Sequence, residues 1–372
     1  MKKRKELTVP KGFMANGVSA GLAKRGKRDV ALFYSEVPCN AAGMFTVNRV
    51  KAAPVMVSRK NLQSGRAKAI AVNSGCANAC TGKKGLKDAE MTTGYLSEIM
   101  GIRQSEVLVA STGLIGSFLE MSRLKAGLKR IAAGFKRGES DFNNAAKAIM
   151  TTDTKIKVAG EYFTLGGKRV AIWAAAKGAG MIHPRLATML AFLLTDAAVS
   201  PGVLRKSLRD AVRESFHSIT VDGDTSTNDS VMILANGSAG NGRLNGRDSR
   251  RWTEKLKKVC SALSRMIIED AEGATKRVEI EIVHGSTKKD AQSVAETIAR
   301  SPLFKTAIYG NSTNWGRIMC AVGNSGAKID PARTDVYFGK LRVVKGGIGS
   351  GYDEGKAAKL LSKKDVKINV DL

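Results

Sequence analysis

Aromatic residues are scarce in this chain of 372 residues, at 5% of the sequence. Proteins that bind single-stranded nucleic acid stack bases on aromatic side chains, so there is little material for that kind of binding. Apolar runs are short as well. The longest, from Leu186 to Leu194, is far below the roughly 20 residues of a membrane-spanning helix. A secretory signal has an apolar segment after its basic start, and none follows the basic stretch MKKRKELTVPKGF. The sequence therefore predicts a cytoplasmic protein.

Cysteine and histidine are also few. Three histidines are present, and the five cysteines are an odd number scattered along a long chain, which argues against a disulfide scaffold and for a reducing compartment. Three residues separate Cys76 from Cys80, and no histidine is near them in sequence. Because a zinc site needs four suitable ligands at workable spacing, we predict no metal site and no cofactor. The cysteines are Cys39, Cys76, Cys80, Cys260 and Cys320.

Acidic residues are outnumbered: 33 stand against 61 lysines and arginines, for a net charge of +28. Such a charge is compatible with a nucleic-acid partner. The basic residues are spread along the whole chain, however, and are not gathered in one tract. We therefore favour a solvated basic surface that attracts acidic metabolites, and we expect neither a nucleic-acid nor a membrane partner.

Apolar periodicity predicts a mixed α/β protein, with strands alternating with helices. The length suggests two domains or one large layered domain, and no linker marks a boundary. Strands are predicted at 67–75, 106–113 and 230–237. Helices are predicted after an N-cap at Ser122, from Ser200-Pro201, across 252–267 and across 291–303.

Several stretches resemble known ligand-binding motifs but lack residues that those motifs require. GLAKRGKR (21–28) fits the phosphate-loop pattern except at Arg28, which replaces the magnesium-binding serine or threonine. DGDTSTND (222–229) has the aspartate spacing of a calcium loop but lacks its glycine and its final glutamate, so it is interpreted as a turn. No dinucleotide loop or nucleophile elbow is present in the sequence.

The stretch HPRLATMLAFLLTDA (183–197) places Thr188 at the head of an apolar run. One interpretation makes Thr188 the cap of a helix formed by MLAFLLTDA. The other makes it a nucleophile. KGAGM (177–181) offers a cation and flexible backbone just upstream, Ala187 is small, and ASTGLIG (110–116) supplies a hydroxyl and glycine amides suited to an oxyanion. The residues alone leave both open.

Nine stretches in order resemble the ornithine acetyltransferase (glutamate N-acetyltransferase) family of arginine biosynthesis, nearly from end to end. The resemblance implies a layered α-β-β-α sandwich with a smaller second α/β domain. The stretches are PKGFMANGVSAG, NAAGMFTVNRVKAAPV, AVNSGCANACTG, ASTGLIG, TTDTKIK, KGAGMIHPRLATMLAFLLTDA, TVDGDTSTNDSV, EDAEGATK and NWGRIMCAVG.

Self-cleavage is the main implication of this resemblance. The family cuts its precursor before the threonine of ATML, here between Ala187 and Thr188, giving an α chain 1–187 and a β chain 188–372. The new α-amino group, a type of group with an ordinary pKa of about 8, can serve as general base for the threonine hydroxyl. The resemblance further implies that α and β chains stay together, as an α2β2 heterotetramer.

The implied reaction is acetyl transfer from N-acetylornithine to glutamate through an acetyl-threonine. By resemblance, Thr112 and Gly113 hold the oxyanion, and Thr151, Lys177 and Glu272 bind substrate together with Thr188. Use of acetyl-CoA as a second donor stays open. His183 is interpreted as a turn residue because the amine already fills the role of the base, and residues 314–317 are assigned no role.

One departure is the end of the chain at Leu372, where family members usually continue, so we expect a final substrate-binding segment to be missing or replaced. A second is GNSTNWGR, which lacks the family's usual Asp-Pro before Asn314. Two other functions stay open. One is a related self-cleaving hydrolase of the aminopeptidase type, and the other is a non-enzymatic basic protein that binds nucleic acid.

Overall fold

The computed structural model describes residues 8–23, 26–135, 138–183 and 189–372. The chain divides into two compact units between Glu272 and Gly273. Across the described residues, no helix has both the length and the apolar composition needed to cross a membrane.

The first unit holds eight strands and six α-helices within the described residues. In chain order they are Phe13–Val18 (β1), Val30–Phe45 (β2), Ala53–Asn61 (α1), Arg66–Asn73 (β3), Gly82–Met100 (α2), Val107–Ser111 (β4), Met121–Ala133 (α3), Glu139–Ala148 (α4), Lys157–Leu165 (β5), Lys168–Lys177 (β6), Leu190–Thr195 (β7), Pro201–Arg213 (α5), Ser230–Ala235 (β8) and Gly246–Glu269 (α6).

The strands form one hydrogen-bonded sheet in the order β4-β3-β2-β8-β7-β6-β5, with β1 added on β2. Strand β2 is 16 residues long, and its register with β3 shifts between Tyr34 and Cys39. Its first half pairs with β1 and β3, and its second half pairs with β8. A register shift of this kind bends a strand, so β2 belongs to both halves of the sheet.

Side-chain alternation along the strands shows how the layers stack. On β6, Ile172, Ala174 and Ala176 face a core shared with α5 and α6. Trp173 and Ala175 face a central core shared with β1, β3, β4 and the first half of β2. The far face of β2, β3 and β4 packs on α1, α2 and α3. The order of layers is helices, sheet half, sheet half, helices, so the predicted α-β-β-α sandwich is confirmed.

Most predicted elements are present, and three details are wrong. The helix predicted across 291–303 divides into Lys288–Arg300 and Pro302–Tyr309, because Pro302 starts a new helix. The segment MLAFLLTDA forms strand β7 rather than a helix, because all six residues from Leu190 to Thr195 are buried between two cores. A strand buried on both faces has a continuous apolar run, which periodicity cannot distinguish from a buried helix. Helix α3 begins at Met121 after Glu120, so Ser122 is not its cap.

The second unit, Gly273–Leu372, has its own five-stranded sheet in the order β12-β11-β10-β13-β9. Only the contact of β13 with β9 is parallel. The sheet and its helices enclose a separate apolar core. The elements are Arg277–Val283 (β9), Lys288–Arg300 (α7), Pro302–Tyr309 (α8), Gly316–Gly323 (α9), Asp335–Phe338 (β10), Leu341–Lys345 (β11), Ile348–Gly349 (β12), Glu354–Leu361 (α10) and Asp365–Asp371 (β13).

Candidate active site

Three of the predicted site residues meet at the end of strand β6. Lys177 is its last residue and is only 2% exposed. The Lys177 Nζ atom donates to Thr151 Oγ1 at 2.7 Å and to Thr112 Oγ1 at 3.3 Å. Thr112 follows strand β4 and Thr151 follows helix α4, so distant parts of the chain supply the cluster.

Gly113 lies in a loop whose amides point in alternate directions. The Thr112 N–H donates to the Asn73 carbonyl at 3.0 Å, and the Leu114 N–H donates to the Gly75 carbonyl at 3.2 Å. Between them, the Gly113 N–H has no acceptor among the described residues. Gly113 has a φ of +134°, a region that favours glycine. The amide is therefore available for a negatively charged oxygen beside the Thr112 hydroxyl.

A buried amide network holds this loop in place. The Asn228 side chain donates to the carbonyls of Ala77 at 2.6 Å and Ser111 at 2.8 Å. Ser111 Oγ donates to Asn73 Oδ1 at 2.6 Å, and Asn73 Nδ2 donates to the Cys76 carbonyl at 2.8 Å. Sequence reasoning assigned no role to Asn73, Ser111 or Asn228. They lie within or beside motifs quoted for the resemblance, but no local pattern indicates that they meet.

Substitution of Gly113 by alanine is expected to lower kcat about 10²-fold or more. The added Cβ would displace the loop, and the Gly113 amide would move away from the oxyanion with it. An alanine Cβ there would lie 2.3 Å from the Gly75 carbonyl carbon and 2.6 Å from the Cys76 nitrogen. Steady-state kinetics of acetyl transfer check this, with Gly116→Ala as control: Gly116 also has a positive φ, but nothing lies within 4 Å of its Cβ position. Equal kcat for the two variants would contradict the role of the Gly113 amide.

Glu272 lies beside the turn that follows Lys177. Its N–H donates to the Ala179 carbonyl at 2.9 Å. Its carboxylate covers Gly180, where a Cβ would lie 2.8 Å from Glu272 Oε2. Glu272 is exposed whereas Lys177 is buried. The site therefore presents a cation at its base and an anion at its rim.

Burial shifts the pKa values of two ionisable side chains at this site, Lys177 and Asp229. Burial lowers the pKa of the Lys177 ammonium, and nearby Asp153 only partly offsets this. Burial also raises the pKa of the Asp229 carboxyl well above its usual range. Asp229 Oδ1 accepts from the Met189 N–H at 2.8 Å.

Ala187 and Thr188 lie outside the described residues, but the chain just after them is placed. Leu190 pairs in register with Lys177 on one side and with Ser230 on the other. The residue two positions after Thr188 is thus the strand neighbour of the site lysine. A helix capped by Thr188 is excluded, because the residues that would form it are strand β7.

A family model described as the ArgJ family matches residues 14–372. The chain belongs to the ArgJ family. The predicted family and the predicted enzyme class, an acyltransferase of arginine biosynthesis, are confirmed by this membership.

Two similar relatives are both named arginine biosynthesis bifunctional protein ArgJ. The one from Symbiobacterium thermophilum is 46% identical over 371 residues, covering 98% of this chain and 92% of its own. The one from Thermotoga neapolitana is 44% identical over 372 residues, covering 98% and 93%. A crystal structure of ornithine acetyltransferase complexed with ornithine from Mycobacterium tuberculosis is 37% identical over 48% of this chain and 95% of that chain, with a TM-score of 0.42.

The structure also shows the contacts of other residues singled out in this ArgJ-family sequence. His183 Nδ1 lies 3.4 Å from the Thr220 hydroxyl. Cys76 is buried, with Sγ 3.1 Å from the Ser117 carbonyl, and Cys80 is exposed. In the part of the chain that the structure describes, no group of three or more His, Cys, Asp or Glu could hold a metal ion. In the second unit, Arg317 Nη1 donates to the Leu303 carbonyl at 2.7 Å.

Asp229 makes a testable contribution to the pH dependence of stability. Folding raises the pKa of this carboxyl. Between its pKa in the unfolded protein and its pKa in the folded protein, each rise in pH therefore lowers the free energy of unfolding. Asp229→Asn cannot ionise, and its Oδ1 can still accept from Met189. Its free energy of unfolding relative to the unsubstituted protein should therefore rise by about 1.4 kcal/mol per pH unit over that range. Urea unfolding at pH 5, 6 and 7 measures this, and a difference independent of pH would contradict it.

Proposed function

We propose that this ArgJ-family chain transfers an acetyl group from N-acetylornithine to glutamate through an ester on Thr188, after the bond between Ala187 and Thr188 has been broken. The observation that carries this proposal is the meeting of the Lys177, Thr151 and Thr112 side chains where strand β7 begins, with the unpaired amide of Gly113 in the adjoining loop.

Self-cleavage supplies a base directly beside the proposed nucleophile. The Thr188 hydroxyl attacks the Ala187 carbonyl carbon, the carbon–nitrogen bond breaks, and the hydroxyl proton passes to the departing nitrogen. Water then hydrolyses the resulting ester, which leaves an Ala187 carboxylate and a free Thr188 hydroxyl. An α-amino group has an ordinary pKa of about 8, so the new amine can accept the proton of its own hydroxyl near neutral pH.

The two fragments would remain together because the cut falls between neighbouring strands of one sheet. Strand β6, in the α chain, pairs with β7, in the β chain, through six register positions from Ile172↔Thr195 to Lys177↔Leu190. Every residue of β7 is buried. Association of one α with one β chain therefore preserves both apolar cores, and pairing into α2β2 remains a prediction of the resemblance.

Acetyl transfer proceeds in two halves. The Thr188 oxygen attacks the acetyl carbonyl of N-acetylornithine, and the oxyanion accepts hydrogen bonds from Thr112 Oγ1 and the Gly113 N–H. When the amide bond breaks, ornithine leaves with the proton held by the α-amine. The amine of glutamate then attacks the acetyl carbon, the bond to the Thr188 oxygen breaks, and a proton of that amine passes by way of the α-amine to the Thr188 oxygen, which yields N-acetylglutamate and the free hydroxyl.

The charges of the site suit an amino-acid substrate. In this proposal Lys177 pairs with the substrate carboxylate, Glu272 pairs with the side-chain ammonium of ornithine, and the Thr151 hydroxyl adds a hydrogen bond. Because Lys177 is buried, its pairing with a carboxylate takes place away from water and contributes more than an exposed pair would.

An assay with purified protein tests this function. We expect N-acetylglutamate to form from N-acetylornithine and glutamate, with free ornithine released in equal amount. A self-cleaving hydrolase would instead release acetate whether or not glutamate is present. A nucleic-acid-binding protein would show neither activity and would bind DNA with a steep dependence on salt. A parallel reaction with acetyl-CoA and glutamate shows whether the chain also uses that donor.

A further inference from the structure

Three charged side chains outside the proposed chemistry are buried together beside the site. Lys157 Nζ lies 2.6 Å from Asp153 Oδ1 and 2.5 Å from Asp270 Oδ2. No side chain of the three is more than 5% exposed. We call Asp153, Lys157 and Asp270 the buried triad. Lys157 begins strand β5, Asp153 lies in the loop before it, and Asp270 follows helix α6.

The Asp153 end of the triad holds the backbone at two proposed binding residues. Asp153 Oδ2 accepts from the Thr151 N–H at 3.1 Å, and Asp153 Oδ1 accepts from the Gly178 N–H at 2.8 Å. Gly178 directly follows Lys177, whose Nζ is 4.0 Å from Asp153 Oδ2. One carboxylate thus ties the Thr151 loop to the end of strand β6.

The Asp270 end ties the same loop to the segment that carries Glu272. Asp270 Oδ2 accepts from the backbone N–H groups of Thr154 at 3.0 Å and Lys155 at 3.3 Å, and Asp270 Oδ1 accepts from the Thr154 hydroxyl. Two residues later, Glu272 donates its own N–H to Ala179 in the turn after Lys177. The triad therefore connects the three segments that bear Thr151, Lys177 and Glu272.

Stability alone is a poor explanation for such a group. Removing ions from water costs several kcal/mol each, and apolar residues of similar volume often stabilise a core as well or better. Here the charges balance, since Lys157 and Lys177 face two carboxylates. Burial opposes ionisation of Asp153, but Lys177 and Lys157 outweigh it and lower the pKa of the carboxyl; Lys157 and Thr154 do the same for Asp270.

We propose that the buried triad is a positioning device that sets the separation between the Lys177 ammonium and the Glu272 carboxylate, and thereby the length of the substrate amine. This rests on the proposed function, in which those two residues bind the carboxylate and the side-chain ammonium of ornithine. Because Asp270 acts through the backbone of its neighbours, its loss should affect binding and selectivity far more than the chemical step.

Asp270→Asn is the decisive variant because its side chain is isosteric. Asparagine loses the charge facing Lys157 and one acceptor oxygen, so the Glu272 segment should shift relative to the loop at 153–155. We expect L-ornithine to bind about tenfold more weakly by calorimetry and the KM for N-acetylornithine to rise equally, with kcat within about threefold. Preference for N-acetylornithine over N-acetyllysine should also fall about tenfold.

Glu161→Gln is the matched control. Glu161 lies on β5 and pairs with Lys255 of α6 at 2.5 Å, so this substitution removes a carboxylate that joins the same two elements without touching the site loops. It should leave ornithine affinity and selectivity within about twofold of the unsubstituted protein. Asp153 and Asp270 both contact Lys157. The loss of ornithine-binding free energy in the D153N/D270N double variant should therefore be smaller than the sum of the two single losses.

Ornithine affinity and selectivity unchanged by D270N, in protein whose circular dichroism shows native folding, would overturn this inference. Equal effects of D270N and E161Q would overturn it as well. Failure of the proposed function gives a different result, because the unsubstituted protein itself would then form no N-acetylglutamate. Ornithine binding needs no acetyl transfer, so the two failures are read separately.

Discussion

Replacement of Thr188 by alanine is expected to give a single uncut chain that transfers no acetyl group. In the proposed mechanism the threonine hydroxyl breaks the peptide bond before it, and the same residue then supplies both the nucleophile and the base. Loss of a nucleophile of this kind costs about 10³-fold or more in kcat. Denaturing gels and intact mass report the cleavage, and N-acetylglutamate formation reports the transfer.

Thr188→Ser is the matched control for this prediction. Serine keeps the hydroxyl but loses the β-branch that restricts the side-chain torsion, so cleavage and transfer should persist at reduced rates. A cleaved and active alanine variant would contradict the assignment of Thr188. Loss of both properties in the serine variant would indicate that the alanine result reflects folding rather than chemistry.

Replacement of Lys177 by methionine is expected to lower kcat/KM for N-acetylornithine about 10²- to 10³-fold. Methionine has nearly the length of lysine without its charge, so the variant loses the hydrogen bonds to Thr112 and Thr151 and the partner of the substrate carboxylate. A buried charge-assisted bond contributes more than a surface pair because water does not screen it. Lys177 is one of the two lysines that balance Asp153 and Asp270, so circular dichroism must show native folding of the variant before its kinetics are compared.

Steady-state kinetics with each substrate measure this effect. Lys255→Met serves as the control, because Lys255 also pairs closely with a carboxylate but is half-buried on helix α6. The control should retain activity within about twofold, in line with the small contribution of such pairs. A K177M variant within about tenfold of the unsubstituted kcat/KM would contradict the role of Lys177 in substrate binding.

Apolar periodicity was sufficient to predict a mixed α/β protein, and the resemblance named three residues that the structure brings together, whereas their roles stay predictions. The amphipathic helices α5 and α6 show clear apolar stripes, and both are present as predicted. Strand β7 was ambiguous because burial on both faces removes the alternation that marks a strand. Thr112, Thr151 and Lys177 meet as the resemblance implied, although their spacing along the chain contains no such information.

The supporting networks could not be predicted in the same way. Lys157 and Asp270 are 113 residues apart, and Asn228 and Ser111 are 117 apart. Contacts of this kind depend on how the layers pack, and a single sequence offers no local pattern for a buried lysine between two aspartates. Asp229 was part of a loop interpreted as a turn, and only the structure shows its carboxylate beneath Met189.

The central claim is that the chain breaks before Thr188 and that the freed threonine carries the acetyl group. Intact mass spectrometry of the purified protein, before and after addition of N-acetylornithine alone, tests it most directly. We predict two chains, 1–187 and 188–372, of which only the second becomes one acetyl group heavier and loses that mass when glutamate is added. An uncut chain, or a stable acetyl group on any residue other than Thr188, would contradict the account.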